Sequence, residues 1–313
     1  MIGFALIFPG QGAQSVGMGL DLWRDLPEAR ATFAEADAVL GFPLSRLCFE
    51  GPGEELTRTE NAQPAILTVS IASYQTLAAR RSLMPKYVAG HSVGEYSALV
   101  AAGVLAFCDA VRLVRRRGEL MGEAMPQGKG TMAAILGLER ETVKKLLAEA
   151  NSFGVVEVAN LNCPGQIVVA GETNAVAEAM RLAKAAGARK AIPLQVSGPF
   201  HSSLMRPAAD RFAVELAHVD FYPARIPVVA NVTAQPVTDP NRIRELLVEQ
   251  IYSPVRWEES VRFMVAAGVK TFIESGPGKV LSGLVRRITQ IPRITSLEDE
   301  LRPKEAIAIS GEV

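Results

Sequence analysis

The stretch KYVAGHSVGEYSALVAAG (residues 86–103) decides how the rest of the chain is read. Tyr87, Val88 and Ala89 read as a short strand, and Ser97 through Ala102 as helix. Between them Gly90 and Gly94 flank Ser92 in a G-x-S-x-G arrangement. A tight strand-to-helix turn needs residues without Cβ on either side of a strained, exposed serine, so this spacing suits a nucleophile elbow. The same pattern arises where glycines simply let a strand and a helix pack closely. Ser92 therefore needs companions before it counts.

Outward from this turn, strand-like runs at Phe4–Phe8, Tyr87–Ala89, Val228–Asn231 and Thr271–Glu274 alternate with helical runs such as Ala65–Arg80 and Asp109–Glu123. Such alternation predicts a parallel sheet covered by helices. After the punctuation MPQGKG (125–130) the rhythm changes to strand Met132–Leu136, helix Arg140–Ala150, strand Val155–Asn160, strand Gln166–Gly171, helix Asn174–Ala186 and strand Lys190–Val196. That βαββαβ order is the split-βαβ, ferredoxin-like pattern, and SGPF (197–200) then returns the chain. The expectation is an α/β protein. A large domain, residues 1–127 and 198–303, carries a parallel sheet and elbow in an α/β-hydrolase-like core. A small ferredoxin-like domain, 128–197, is inserted into it, and a partly disordered tail, 304–313, follows. A cleft between two such domains is a common ligand site.

Composition narrows the function classes. The chain has 313 residues, 49% of them hydrophobic, enough for a substantial core. Lys+Arg and Asp+Glu both total 33, which argues against a nucleic-acid or anionic-membrane partner. Cys48, Cys108 and Cys163 are scattered without a C-x-x-C, which speaks against a disulfide framework and against a metal site. MIGFALIFPG lacks a basic n-region and reads as a first strand rather than a signal peptide. No uncharged run is long enough to span a bilayer. A cytoplasmic protein is expected.

A serine is a poor nucleophile until a base takes its proton, and the chain has three histidines. His91 adjoins Ser92, where neighbouring side chains at a tight turn diverge. His218 follows the helical run Ala208–Ala217 and reads as a surface residue. His201, in GPFHSS, sits where the small domain rejoins the large one, placed either to reach Ser92 across the cleft or to cap a helix. No acidic residue announces itself as its orienter. Asp239-Pro240 makes a good helix start, however, and the helix then runs to about Ile251 before Ser253-Pro254. The main-chain carbonyl of Gln250, near that helix end, lacks an intrahelical partner and could accept the histidine Nδ1–H.

Arg117 breaks a pattern. At roughly 100° per residue, Phe107, Ala110, Val111, Val114, Gly118, Met121 and Met125 share one helical face, and Arg117 falls among them. A buried guanidinium needs an acidic side chain, backbone carbonyls or an anionic ligand; a ligand carboxylate suits its bidentate fork. FPGQGAQ (8–14) has only the start of a dinucleotide fingerprint, and GPGKVL (276–281) lacks the Ser or Thr of a Walker A sequence. The turn after the first strand could instead offer a backbone amide to an anionic oxygen. In G-x-S-x-G enzymes the oxyanion hole uses the amide after the nucleophile and one from another strand–helix loop, here Val93 and Gln11.

FPGQGAQ, GHSVGEYSA, the arginine of RGELM, NLNCPGQIVVAG, GPFHS, QIYSPVRW and ESGPGKVL occur in this order between Ile2 and about Leu301. Together they resemble the malonyl-CoA:acyl carrier protein transacylase family of type II fatty acid synthesis. The resemblance implies that Ser92 accepts the acyl group and that His201 is its base and then acid, held by the Gln250 main-chain carbonyl. It implies that Arg117 pairs with the malonyl carboxylate, that Gln11 and Val93 form the oxyanion hole, and that Met121, Asn160 and Phe200 line the cleft. Phe200 before His201 matches the malonyl-type signature rather than the Ser-His type associated with methylmalonyl. Malonyl-CoA and acyl carrier protein are then the partners, and no bound cofactor is needed. Arg115 and Arg116, or Arg286 and Arg287, are candidates for docking an acidic carrier. A serine esterase or thioesterase sharing the elbow, a non-catalytic carrier-binding subunit, and malonyl loading for a polyketide pathway remain open as alternatives.

Overall fold

The computed structural model describes residues 3–80, 82–290 and 293–296, so the expected tail at 304–313 lies outside the described residues. The fold is mixed α/β with a parallel sheet. Ten strands are described: β1 (Phe4–Phe8), β2 (Tyr87–Gly90), β3 (Gly130–Leu136), β4 (Val156–Cys163), β5 (Gln166–Glu172), β6 (Lys190–Pro193), β7 (Val228–Val229), β8 (Pro236–Val237), β9 (Thr271–Glu274) and β10 (Arg293–Ser296). They form two sheets, ordered β10-β9-β1-β2-β7-β8 and β4-β5-β3-β6.

In the larger sheet all neighbours are parallel except the β7–β8 pair at one edge. β1, with the sequence FALIF, is buried along its whole length, as a central parallel strand covered on both faces must be. Phe8 pairs with Gly90 and Ile7 with Glu274, so the carboxyl ends of β1, β2 and β9 fall at one edge. In open parallel sheets that edge is where ligands bind. Ser92 comes directly after it.

The smaller sheet is antiparallel throughout. Period-2 alternation divides its side chains between two cores. Ala133, Ile135, Ile167 and Val169 meet the helices Arg140–Ala150 and Thr173–Ala185, whereas Met132, Val168 and Ala170 join the core that also packs one face of the larger sheet. β4 also bridges to the segment after the helix Pro240–Tyr252. The Leu161 amide donates to the Val255 carbonyl (2.9 Å), and the Val255 amide to that of Ala159 (2.9 Å).

Several boundaries differ from the sequence reading. The helix expected at Ala65–Arg80 begins at Thr59 and contains Pro64. Proline cannot donate to the Glu60 carbonyl; Arg115 Nη1 donates to that carbonyl instead (3.2 Å), so the helix passes through. The strand expected at Val228–Asn231 is only Val228–Val229, because Ala230 turns the chain, its amide donating to Gln235 O (3.1 Å) and its carbonyl accepting from Ala234 (2.8 Å). β6 ends at Pro193 rather than Val196. The helix after Ser92 starts at Gly94, not Ser97, and the helix carrying Arg117 spans Phe107–Glu123. Among the described residues no helix is long and apolar enough to cross a membrane.

Candidate active site

The elbow is built from close approach. Ser92 has φ 52°, in the left-handed region. A Cβ on Gly90 would lie 1.9 Å from the Gly94 backbone, and one on Gly94 would lie 2.2 Å from Phe8 O. Neither can be accommodated without moving main chain. Gly90→Ala is accordingly expected to destabilise the protein by about 3 kcal/mol or more, at the upper end of overpacking effects. A denaturant midpoint within error of the parent protein would show that the turn relaxes freely.

Asn231 clamps the turn. Its Oδ1 accepts from the Ser92 amide (2.7 Å) and its Nδ2 donates to Gly90 O (2.6 Å). Residues 91 and 218 are elsewhere engaged, as their positions suggested. His91 Nε2 lies 2.9 Å from Asn162 Oδ1, and the exposed His218 Nδ1 lies 2.8 Å from Val214 O.

His201 crosses the cleft. It is not a helix cap: it sits in a turn at φ 62°, and the 3₁₀ turn Ser203–Met205 and helix Arg206–Ala217 that follow are preceded by Ser202 and Met205. Its Nε2 lies 2.8 Å from Ser92 Oγ, and its Nδ1 lies 2.8 Å from the Gln250 carbonyl oxygen. A carbonyl only accepts, so Nδ1 carries the proton and Nε2 is free to accept from the serine. The helix supplying that carbonyl is Pro240–Tyr252, N-capped by Asp239, whose Oδ1 accepts from Arg242 N (2.7 Å).

Burial, reinforced by the nearby Arg117 charge, pushes the His201 pKa down to about 3. The folded protein thus keeps this ring neutral, while the unfolded chain protonates it near 6.5. As pH falls below that value the unfolded state takes up a proton that the folded state refuses until about 3, so this group withdraws stability in that window. In an NMR titration the His201 ring should remain in its neutral form at pH 5; a protonation midpoint near 6.5 would contradict the geometry.

Arg117 is 1% exposed. Among the described residues it hydrogen-bonds to no acidic side chain and no backbone carbonyl. Nη1 donates to Gln63 Oε1 (2.7 Å), and Nη2 donates to Gln250 Oε1 (2.9 Å) and to Ser92 Oγ (3.1 Å). Among the described residues its Nε has no acceptor, and the guanidinium lies 5.6 Å from the Tyr96 ring centroid. Burial disfavours its charge, yet guanidinium keeps its proton at ordinary pH. The buried Glu95 acts on it through an intermediary: Gln250 Nε2 donates to Glu95 Oε2 (2.8 Å), which also accepts from Asn231 N (3.0 Å). Burial lifts the Glu95 carboxyl to about 7 against those bonds and the Arg117 charge. The result is a buried cation, directed at a hydroxyl, with neutral hydrogen-bond acceptors around it.

A cavity of about 460 Å³ opens over this group, lined by Gln11, His91, Ser92, Val93, Arg117, Met121, Phe200 and His201, with Met132 and Asn160 from the smaller sheet and Leu194 just after it. The amides of Gln11 and Val93 donate to no acceptor among the described residues. Gln250 contributes from behind the wall. Arg115 and Arg116 pair with Glu119 and Glu215, and Arg287 donates to Gln166, all away from the cavity. Sequence reasoning missed Glu95, Asn231 and Gln63. Glu95 stands three residues after Ser92 and Asn231 at the end of an expected strand, positions from which both could have been suspected. Among the described residues no cluster of three or more His, Cys, Asp or Glu could hold a metal.

The acyl transferase domain family model matches residues 5–296. The chain belongs to the acyl transferase family. Members similar to it include malonyl CoA-acyl carrier protein transacylase of Bacillus subtilis, 52% identical over 94% of this chain and 93% of that one. The protein of that name from Escherichia coli K12 is 49% identical over 96% and 97%. Among solved structures, an acyl carrier protein S-malonyltransferase from Vibrio cholerae superposes with a TM-score of 0.93 at 46% identity, covering 96% of this acyl transferase and 100% of that chain. A malonyl-transacylase in complex with a type II PKS acyl-carrier protein gives 0.91 at 46% identity, with 94% of each chain covered.

Proposed function

We propose that this acyltransferase moves the malonyl group from malonyl-CoA to the phosphopantetheine thiol of acyl carrier protein, supplying fatty acid elongation. Ser92 Oγ attacks the thioester carbonyl and passes its proton to His201 Nε2. The Gln11 and Val93 amides receive the oxyanion. The carbon–sulfur bond breaks, the proton leaves with the CoA thiol, and a malonyl-serine ester remains. The carrier thiol then gives its proton to His201, attacks that ester, and returns Ser92 to its hydroxyl form. Both halves use one hole and one base, the logic of a ping-pong reaction.

The observation that carries this reading is Arg117, whose buried guanidinium has no carboxylate within hydrogen-bond reach among the described residues and lies 3.1 Å from Ser92 Oγ. A diacid bound as a thioester brings its free carboxylate to that point. Met121, Asn160 and Phe200 shape the space between. We read the domains as 1–127 with 198–303, and 128–197, and the tail as 304–313. The strand order β4-β5-β3-β6 supports a ferredoxin-like insert, and the elbow an α/β-hydrolase-like core. We read its location as cytoplasmic. Likeness to a transacylase solved with a PKS carrier supports a polyketide carrier as an alternative acceptor.

The test is intact-protein mass after exposure to malonyl-CoA, then after addition of holo acyl carrier protein. A malonyl adduct that moves to the carrier is expected. Rapid hydrolysis of the adduct without carrier would favour an esterase instead.

A further inference from the structure

Gln63 and Thr59 have no part in the reaction as just described, yet they join two of its groups. Arg117 Nη1 donates to Gln63 Oε1 (2.7 Å), Gln63 Nε2 donates to Thr59 Oγ1 (3.0 Å), and Thr59 Oγ1 donates to Gln11 Oε1 (3.0 Å). The direction of this chain is fixed from one end. A guanidinium has only donors, so Gln63 must turn its oxygen to Arg117 and its NH2 to Thr59. The threonine hydroxyl, already accepting, has its hydrogen left for Gln11. Thr59 and Gln63 are buried, so the Arg117–Gln63 and Gln63–Thr59 bonds lie out of water, where aligned bonds polarise one another, and the last bond reaches the half-buried Gln11 at the cavity wall.

The main chain is shaped to allow this. A Cβ at Gly118 would lie 2.6 Å from Glu60 Cα and 2.7 Å from Thr59 O, so the glycine lets the helix of Arg117 press against the first turn of the helix Thr59–Arg80. That contact sets Gln63 beside Arg117. Among the described residues Thr59 is the one side-chain partner of Gln11.

We infer that Thr59 and Gln63 form a hydrogen-bonded strut that fixes the spacing between the carboxylate anchor at Arg117 and the oxyanion-binding amide of Gln11, and so are positioning residues for acylation by a diacid thioester. This rests on the function proposed above. One methylene separates the carboxylate of a malonyl group from its thioester carbonyl, so a substrate held at both ends tolerates little error in that spacing. Misplacement by about 1 Å can cost on the order of a hundred-fold in rate. An acetyl group, held at one end, can follow the hole wherever it sits.

The experiment compares single-turnover acylation of Ser92 by malonyl-CoA and by acetyl-CoA in the parent protein, Thr59→Val and Thr59→Ser, with thermal melting of each. Thr59→Val should slow malonyl acylation about ten-fold, the size of one net hydrogen bond, through the maximal rate rather than through KM. Acetyl acylation should change far less, and Thr59→Ser should restore the malonyl rate. Placed on Arg117→Gln, Thr59→Val should have little further effect on the malonyl rate. Equal fractional losses for both acyl groups, or losses that simply multiply in the double variant, would overturn the inference and leave Thr59 a structural residue. If the parent protein itself takes no malonyl group, the proposed function fails instead.

Discussion

Ser92→Ala should leave no acyl adduct on the protein after exposure to malonyl-CoA and should lower transfer to carrier by several orders of magnitude. Loss of the nucleophile of a serine hydrolase lowers kcat on the order of 10⁶-fold. The expectation here is comparable, because the remaining apparatus has nothing to pass on. Ser92 Oγ is the atom on which His201 Nε2 (2.8 Å) and Arg117 Nη2 (3.1 Å) both converge. His201→Ala should fall nearly as far, and the double variant no further than Ser92→Ala alone, since the two act as one unit. Residual adduct on Ser92→Ala, traced by peptide mapping to another residue, would refute the assignment.

Arg117→Ala should act on choice rather than on chemistry. With the guanidinium gone, a malonyl carboxylate enters a buried site lacking its charge partner, while an acetyl group no longer leaves a buried cation exposed to an apolar methyl. Truncating one member of such a pair costs about 2–5 kcal/mol. The malonyl-over-acetyl preference in kcat/KM is expected to fall by about a hundred-fold or more, mostly through loss of the malonyl rate. Competition between the two thioesters for Ser92, read by mass, measures it directly. An unchanged ratio would show that selection resides elsewhere in the cavity.

Much of this was legible in the sequence, for identifiable reasons. The continuous apolar run Phe4–Phe8 became a strand with those bounds, as did Thr271–Glu274, where β-prone Phe272 and Ile273 lie at the centre. Arg117 stood out because it violated the periodicity of its own helix. The site's amide side chains did not. Gln63 and Gln250 carry no charge and no period, and only the three-dimensional arrangement gives them a cation to accept from. The helix expected from Ala65 starts earlier, at Thr59, because the carbonyl that Pro64 cannot serve is taken up by Arg115, a residue distant in sequence. Asn231, read as part of a strand, proves to be the clamp on the Ser92 turn.

Ser92 and His201 share one further property: neither is glycine, and both are bent into the left-handed region, at φ 52° and 62°. Conformations of that kind cost on the order of 1–3 kcal/mol apiece. A glycine at either place would relax the backbone and remove, in one step, the side chain that the proposed reaction uses. Selection for heat resistance therefore has its simplest routes blocked at these two positions, and must act on the scaffold around them.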